Sequence, residues 1–138
     1  MKLKLPNGAK SCKTTDMEEN FMYMPEELQM LYSYAWDMYI AENYMEAFDA
    51  FKKLYDFRHA EATYMLGIMY LYGYFIGVDY NKAIAYLQLA GERGYSPAFR
   101  ELAKLYRDGY EIEPDNQKAI EYERKVSDYE KKSTALNS

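Results

Sequence analysis

Apolar and polar residues follow a helical period along much of the chain, and one uncharged stretch shows the pattern well. It extends from Ala62 to Val78, between Glu61 and Asp79. A membrane span needs roughly 20 apolar residues, whereas this stretch is shorter and contains three glycines and four tyrosines. A buried strand usually has only about 4–8 residues. The small and apolar residues recur at steps of three and four, which predicts an amphipathic helix and a following loop.

The chain repeats itself at an offset of 36 residues, and this repeat supports the helical prediction. Nine pairs of identical residues share the offset: Ala62/Ala98, Leu66/Leu102, Tyr70/Tyr106, Gly73/Gly109, Asp79/Asp115, Lys82/Lys118, Ala83/Ala119, Ile84/Ile120 and Tyr86/Tyr122. The second copy of the uncharged stretch contains five charged residues: Arg100, Glu101, Lys104, Arg107 and Asp108. Charges of this kind are rare within membrane spans, so neither copy is predicted to cross a membrane.

Each copy continues into a second predicted helix. In the first copy, Asp79 is the expected N-cap and Gly94 the residue just past the helix end. The next copy has Pro114 and Asp115 at the corresponding start. A unit of helix A, loop and helix B cannot bury its apolar face alone, so the units are predicted to stack on one another.

A less regular unit precedes these two copies. Ala47 aligns with Ala83 at the same offset, and the helix A of this unit is predicted to start at Pro25 and to end near Asn43. The loop between its two helices is about four residues shorter than in the other units. The chain is therefore predicted to contain three helical hairpins.

The predicted fold is all-α, a short right-handed α-solenoid of about three antiparallel helix hairpins. One repeat domain covers residues 25–131, with hairpins at about 25–58, 60–94 and 96–131. Residues 1–24 are predicted to form a partly mobile N-terminal arm, and residues 132–138 a disordered tail.

The spacing from Ala62 to Ala98 resembles the Sel-one-like repeat (SLR) family, whose members are relatives of the tetratricopeptide repeat (TPR) with a longer loop between helices A and B. The resemblance covers about three-quarters of the chain, and the first unit is similar to a plain TPR unit. It implies a protein-interaction scaffold whose concave face, formed by the A helices, holds a peptide or another protein.

At two places the sequence departs from the family pattern, and each departure predicts a change in local structure or stability. Glu113 and Pro114 replace Gly77 and Val78 in the last loop, which suggests a different turn there. Gly91 stands where the family usually has alanine, and a glycine inside a helix is expected to weaken it by up to about 1 kcal/mol.

The resemblance also implies which side chains would line the concave groove. They are Tyr32, Trp36 and Tyr39 of the first A helix, Tyr64, Ile68, Leu71 and Tyr72 of the second, and Arg100, Lys104 and Arg107 of the third. Such a groove has an aromatic, apolar end and a basic end. Its basic end would fit an acidic side chain, a C-terminal carboxylate or a phosphate.

The same residues also fit a structural role. Aromatic side chains at helical spacing suit a core, and three bases on one helix suit a solvated face. The residues before Pro25 would fill the groove if they folded back over it. The positions of the TPR carboxylate clamp are occupied by unrelated residues, among them Tyr32, Trp36 and Glu101, so that binding mode is not expected.

The charge and the cysteine content of the chain indicate which partners and which cellular compartment to expect. The chain has 22 acidic and 17 basic residues and a formal net charge of −5, which argues against nucleic acid and anionic membranes as partners. The single cysteine, Cys12, cannot form an intrachain disulfide, and the first residues contain no apolar signal-peptide core. We therefore expect a cytoplasmic protein.

No catalytic residue, metal or cofactor site is predicted. His59 is the only histidine, and its place at a turn indicates a capping or solvated role. The predicted function is a non-enzymatic protein–protein interaction module. The alternatives are an immunity or inhibitor protein for a bacterial toxin or effector, a homodimer, and, less favoured, an RNA-binding repeat protein or an enzyme.

Overall fold

A computed structural model describes residues 26–109 and 112–137, with side chains described up to residue 135. Six α-helices are present within these residues: α1 (Glu26–Ile40), α2 (Tyr44–Asp56), α3 (Ala60–Tyr72), α4 (Tyr80–Glu92), α5 (Pro97–Asp108) and α6 (Asn116–Asn137). The described residues contain no strand. Each helix packs most extensively on its partner in the hairpins α1/α2, α3/α4 and α5/α6, and α2 contacts α3 as α4 contacts α5. The predicted all-α helical repeat solenoid is confirmed.

Small residues set the distance between the two helices of a hairpin. Ala35 of α1, Ala47 of α2 and Ala83 of α4 are fully buried, and Gly67 of α3 is buried as well. A Cβ on Gly67 would lie 2.9 Å from the side chain of Leu87 and 3.3 Å from the carbonyl oxygen of Ala83. The backbone of α3 therefore approaches α4 more closely than a side chain at this position would allow.

Larger side chains fill the space beside these contacts in two clusters. One cluster lies among the first three helices and contains Phe51, Leu54, Leu66 and Met69 as fully buried side chains. The other lies among the last four helices. Its largest buried members are Leu87, Phe99, Leu102 and Leu105. Because α3 contributes to both clusters, nearly all of its residues from Ala62 to Leu71 are buried, which explains the uncharged stretch seen in the sequence.

The predicted helix starts are confirmed by capping hydrogen bonds. The Asp79 side chain accepts a hydrogen bond from the backbone N–H of Lys82 at 3.0 Å, and Asp115 accepts one from Lys118 at 3.1 Å. His59 caps α3, with Nδ1 accepting from the N–H of Ala62 at 3.1 Å. Each cap supplies one acceptor to a backbone donor that the helix itself leaves unpaired.

The loops after α3 and α5 close in the same way, despite the departure from the family pattern in the second loop. Gly73 and Gly109 end the two helices in the left-handed conformation, with φ of 72° and 63°. The backbone N–H groups of Asp79 and Asp115 return to carbonyls of the preceding helices, at 3.0 and 2.8 Å. Pro114 packs directly over Gly109 and thus takes the place that Val78 has over Gly73.

Two helix ends differ from the predicted bounds. Helix α1 ends at Ile40, before the predicted end near Asn43. Helix α6 continues to Asn137, through the stretch for which a disordered tail was predicted. No glycine or proline interrupts α6, and the Thr134 hydroxyl donates to the carbonyl of Glu130 at 2.8 Å. The predicted N-terminal arm, residues 1–24, lies outside the described residues.

Arg93 links the first two hairpins at the edge opposite the long loops. Its Nη1 donates to the carbonyl of Tyr55 at 3.1 Å and to Oγ1 of Thr63 at 2.9 Å. The guanidinium also lies over the Tyr55 ring, 4.7 Å from the centroid. Thr63 in turn donates to the carbonyl of His59 at 2.7 Å. One cation thus connects the end of α2, the start of α3 and the end of α4.

Gly91 was expected only to weaken its helix, and the structure shows why the position is glycine. A Cβ on Gly91 would lie 2.4 Å from two ring atoms of Phe99. The Phe99 ring is almost fully buried and is held by further aromatic contacts with Tyr122 and Tyr129. It has little freedom to move away, so the missing side chain permits the contact between α4 and α5.

Gly91→Ala is expected to destabilise the fold, although alanine is the better helix former. The helix-propensity gain is at most about 1 kcal/mol, whereas overpacking a core usually costs about 1–3 kcal/mol. We expect a net loss of about 1 kcal/mol, measured by urea unfolding with circular dichroism. Gly77→Ala is the matched control, because a Cβ at Gly77 would have no neighbour within 4 Å and its φ is not positive. Equal urea-unfolding midpoints for Gly91→Ala and Gly77→Ala would contradict the explanation that a Cβ at Gly91 overpacks the core.

Candidate interaction surface

Nine of the ten side chains predicted to line a groove, all except Tyr72, occupy equivalent positions in the three A helices. Ala35, Gly67 and Ala103 mark the small packing position of each A helix, and the predicted side chains keep the same spacing from it. The equivalent sets are Tyr32, Tyr64 and Arg100; Trp36, Ile68 and Lys104; and Tyr39, Leu71 and Arg107. Their surroundings differ strongly from one hairpin to the next.

The aromatic residues of α1 belong both to the core and to the surface. Tyr32, Trp36 and Tyr39 are half-buried and contact one another edge to face, with centroids 6.3 and 5.6 Å apart. The rings of Tyr32 and Trp36 also lie against the fully buried Phe51, at 6.5 and 6.3 Å. Each of these side chains therefore supports the first hairpin while leaving part of its ring accessible.

Two tyrosines of the second hairpin extend this line of rings. Tyr74, in the loop after α3, lies 5.9 Å from Tyr39 and 6.0 Å from Tyr72. Tyr74 is also stacked on Tyr44 of α2, at 4.9 Å. We name Tyr32, Trp36, Tyr39, Tyr74 and Tyr72 the aromatic row. Sequence analysis missed Tyr74 and Tyr44, because their ring contacts arise only when the loop folds back over α2.

Two of the predicted groove residues lie in the core instead. Ile68 and Leu71 are only 8% and 7% exposed and belong to the second cluster. Tyr64 is half-buried against Tyr95, with centroids 5.0 Å apart. The expectation of an open groove at Ile68 and Leu71 is thus corrected, because the packing of α3 against its neighbours buries both side chains.

The predicted basic stripe on α5 is largely paired within the protein. Arg100 forms an ion pair with Glu130, and Arg107 forms one with Glu123, both on α6. Among the described residues, Lys104 has no ion-pair partner. Exposed ion pairs of this kind contribute little to stability. They do occupy the two arginines, so Lys104 is the one basic residue of the stripe that has no carboxylate paired with it in the described part of the chain.

A cleft of about 200 Å³ lies between α3 and α5, at the end of the aromatic row. Leu71 and Leu105 supply its apolar lining, Tyr72 and Tyr80 are its aromatic residues, and Glu101 and Lys104 are its charged residues. The Tyr72 hydroxyl donates to Glu101 at 3.2 Å. The cleft therefore combines apolar surface with one carboxylate and one ammonium group.

Three tyrosines of this region, Tyr32, Tyr39 and Tyr64, remain protonated at physiological pH because folding raises the pKa of each. Burial, and then the Glu101 carboxylate, raise the pKa of Tyr64 to about 12. Burial also raises the pKa of Tyr39 and that of Tyr32, whose hydroxyl donates to Glu61. These phenols therefore act as neutral hydrogen-bonding groups and contribute no negative charge to the surface.

His59 lies against Tyr32, at one end of the aromatic row. Its ring is 4.6 Å from that of Tyr32, and its Nδ1 is engaged as the N-cap of α3. Burial lowers the pKa of His59, against a smaller opposing effect of the Glu61 carboxylate. The predicted capping role of this histidine is confirmed.

Two further features of the described residues bear on what this surface can do. Within residues 26–109 and 112–137 no cluster of three or more His, Cys, Asp or Glu side chains could hold a metal ion. In the same part of the chain, no helix is both long enough and apolar enough to cross a membrane.

Comparison with known proteins identifies the repeat. Residues 60–95 and 98–125 match the sequence model of the Sel1 repeat family. The fold is similar to the crystal structure of a Sel1 repeat protein from Oxalobacter formigenes, with a TM-score of 0.64 and 23% sequence identity. That match covers 88% of this chain but only 54% of the other. A sequence comparison with curated proteins gives no match.

Acid is expected to destabilise the protein through His59. Its pKa is lowered by folding, so the unfolded chain binds a proton near pH 6.5 while the folded chain resists protonation. The stability that the neutral cap provides is therefore present above about pH 6.5 and lost as the pH falls below it. We expect the free energy of unfolding to drop by about 1 kcal/mol towards pH 5, on the scale of one N-cap, as measured by urea unfolding.

His59→Asn is the matched control, because asparagine keeps a capping oxygen but does not titrate. His59 is the only histidine in the chain, and carboxylates protonate near pH 4. The variant should therefore show a flat profile between pH 7 and pH 5. A slope equal to that of the wild type would refute the role of His59.

Proposed function

Because this chain is a Sel1-like repeat protein, we propose that it is a non-enzymatic module that binds a protein partner. Proteins built from Sel1 repeats are generally protein-interaction modules. The proposed binding surface is the aromatic row together with the cleft between α3 and α5. The proposal is supported chiefly by the continuity of five aromatic side chains across two hairpins up to a cleft that contains charged groups.

The aromatic row suits an extended or helical segment of a partner. Tyrosine and tryptophan offer large apolar surfaces at a low cost in side-chain entropy, and they dominate many interface hot spots. Tyr72 is 51% exposed, whereas Trp36 and Tyr32 are anchored on Phe51. A segment lying along the row would therefore contact rings that are already held in place, which limits the entropy lost on binding.

The cleft would fix the orientation of such a segment. Lys104 would pair with an acidic side chain or a C-terminal carboxylate of the partner. The exposed ring of Tyr72 would contact an apolar side chain of the partner beside this charge. Arg100 and Arg107 could bind an acidic group of the partner only after their ion pairs with α6 were broken. We therefore assign the charged contact to Lys104.

The test is affinity capture from native lysate with the wild type and with the variant Tyr72→Ala/Lys104→Glu. Both side chains are exposed, so the variant should keep the fold, which circular dichroism checks. We expect the variant to lose a partner that the wild type retains, with binding at least tenfold weaker by titration with that purified partner.

The matched control is Ile120→Ala/Lys131→Glu on α6, which removes an exposed apolar side chain and reverses an exposed charge away from the row. It should bind as the wild type does. Identical partner lists for all three proteins would exclude the row and the cleft as the binding surface. A single captured toxin or effector whose activity falls on binding would identify the narrower immunity function.

A further inference from the structure

A second surface of different character lies where the loop after α3 meets the start of α2. Phe75 in this loop has a φ of 70°, a conformation that residues with a Cβ rarely adopt. Strained backbone of this kind tends to occur at functional positions. The loop is held at both ends, by the hydrogen bond from Tyr74 to Met69 and by the one from Asp79 to Tyr70. The surrounding structure therefore holds an aromatic residue where glycine would be less strained.

The strained loop displays apolar side chains to solvent. Phe75 and Val78 are each 52% exposed, and Met45 of α2 is exposed to the same extent. The Phe75 ring rests on Phe48, with centroids 5.7 Å apart, and Met45 lies one helical turn before Phe48. We name Met45, Phe75 and Val78 the loop patch. None of its members belongs to the aromatic row.

The loop patch is accompanied by uncompensated negative charge. Glu42, in the turn before α2, and Glu46 and Asp49 of α2 are exposed within four residues of Met45, and among the described residues none of them forms an ion pair. Two lysines of α2 and α4 contact tyrosines: Lys52 donates to the Tyr86 hydroxyl at 2.9 Å, and Lys82 lies over the Tyr70 ring. Lys53, one helical turn after Asp49, forms no ion pair within the described residues. Residues 26–58 as a whole contain seven acidic and three basic residues.

From these observations we propose that the loop patch is a second docking surface, which takes an amphipathic segment of a protein partner that carries lysine or arginine beside its apolar face. Exposed apolar side chains next to carboxylates provide the contact area, and the carboxylates select a basic partner over an acidic one. A second copy of this chain fits less well, because an isologous contact would bring Glu42, Glu46 and Asp49 close to their own copies.

The test uses a fluorescent synthetic amphipathic helix with leucines on one face and lysines on the other, and a second peptide with glutamates in place of the lysines. Fluorescence anisotropy should show salt-sensitive binding of the lysine peptide and none of the glutamate peptide. Phe75→Gly should weaken binding about tenfold. Its melting temperature should not fall below that of the wild type, because glycine tolerates the positive φ.

Two sets of control variants distinguish binding at the loop patch from general attraction of the lysine peptide to a negatively charged protein. Ile120→Ala removes an exposed apolar side chain on α6 and should leave binding unchanged. Glu46→Lys/Asp49→Lys should abolish the preference for the lysine peptide, whereas Glu121→Lys/Asp128→Lys, with the same charge change on α6, should preserve it. Equal effects of the two pairs would overturn the proposal. So would a wild-type dimer in sedimentation that Phe75→Gly dissociates, since the patch would then be an interface between copies.

Discussion

The close approach of paired helices at small side chains is the constraint on which the rest of this structure depends. Gly67 brings the α3 backbone against Leu87 and the carbonyl of Ala83, and Gly91 lets α4 come close to Phe99. Since interiors are packed as densely as organic crystals, these short distances leave no room for compensating shifts. They determine where each hairpin sits on the next and therefore which side chains of an A helix are covered.

The same stacking explains why equivalent positions behave differently. Leu71 is buried, whereas Arg107, its equivalent in the third hairpin, is exposed and pairs with Glu123. Tyr39, the equivalent residue in the first hairpin, is intermediate, with its ring against Trp36 and Tyr74 and part of it accessible. One structural position thus serves in turn as surface aromatic, core residue and charged residue. At these positions, partly accessible rings therefore occur only in the first two hairpins.

Polar contacts at the two edges of the stack have different consequences. At one edge, Arg93 connects the first two hairpins through hydrogen bonds to the carbonyl of Tyr55 and to Thr63, and His59 caps α3 with its ring against Tyr32. At the other edge, the long loop after α3 carries Tyr74 and Phe75 outward, over α2. Accessible aromatic side chains therefore accumulate at the loop edge, where both proposed binding surfaces reach solvent.

Within the described residues, the sequence by itself determined the number, order and approximate bounds of the helices. The local signals were the hydrophobic period, caps such as Asp79, and the glycines that follow α3, α4 and α5, which recur in register. Only the tertiary structure decided that Ile68 is covered, that Arg100 is paired with Glu130, and that Tyr74 joins the aromatic row. These outcomes depend on distances between hairpins and on the path of a loop, which the spacing of residues along one helix does not contain.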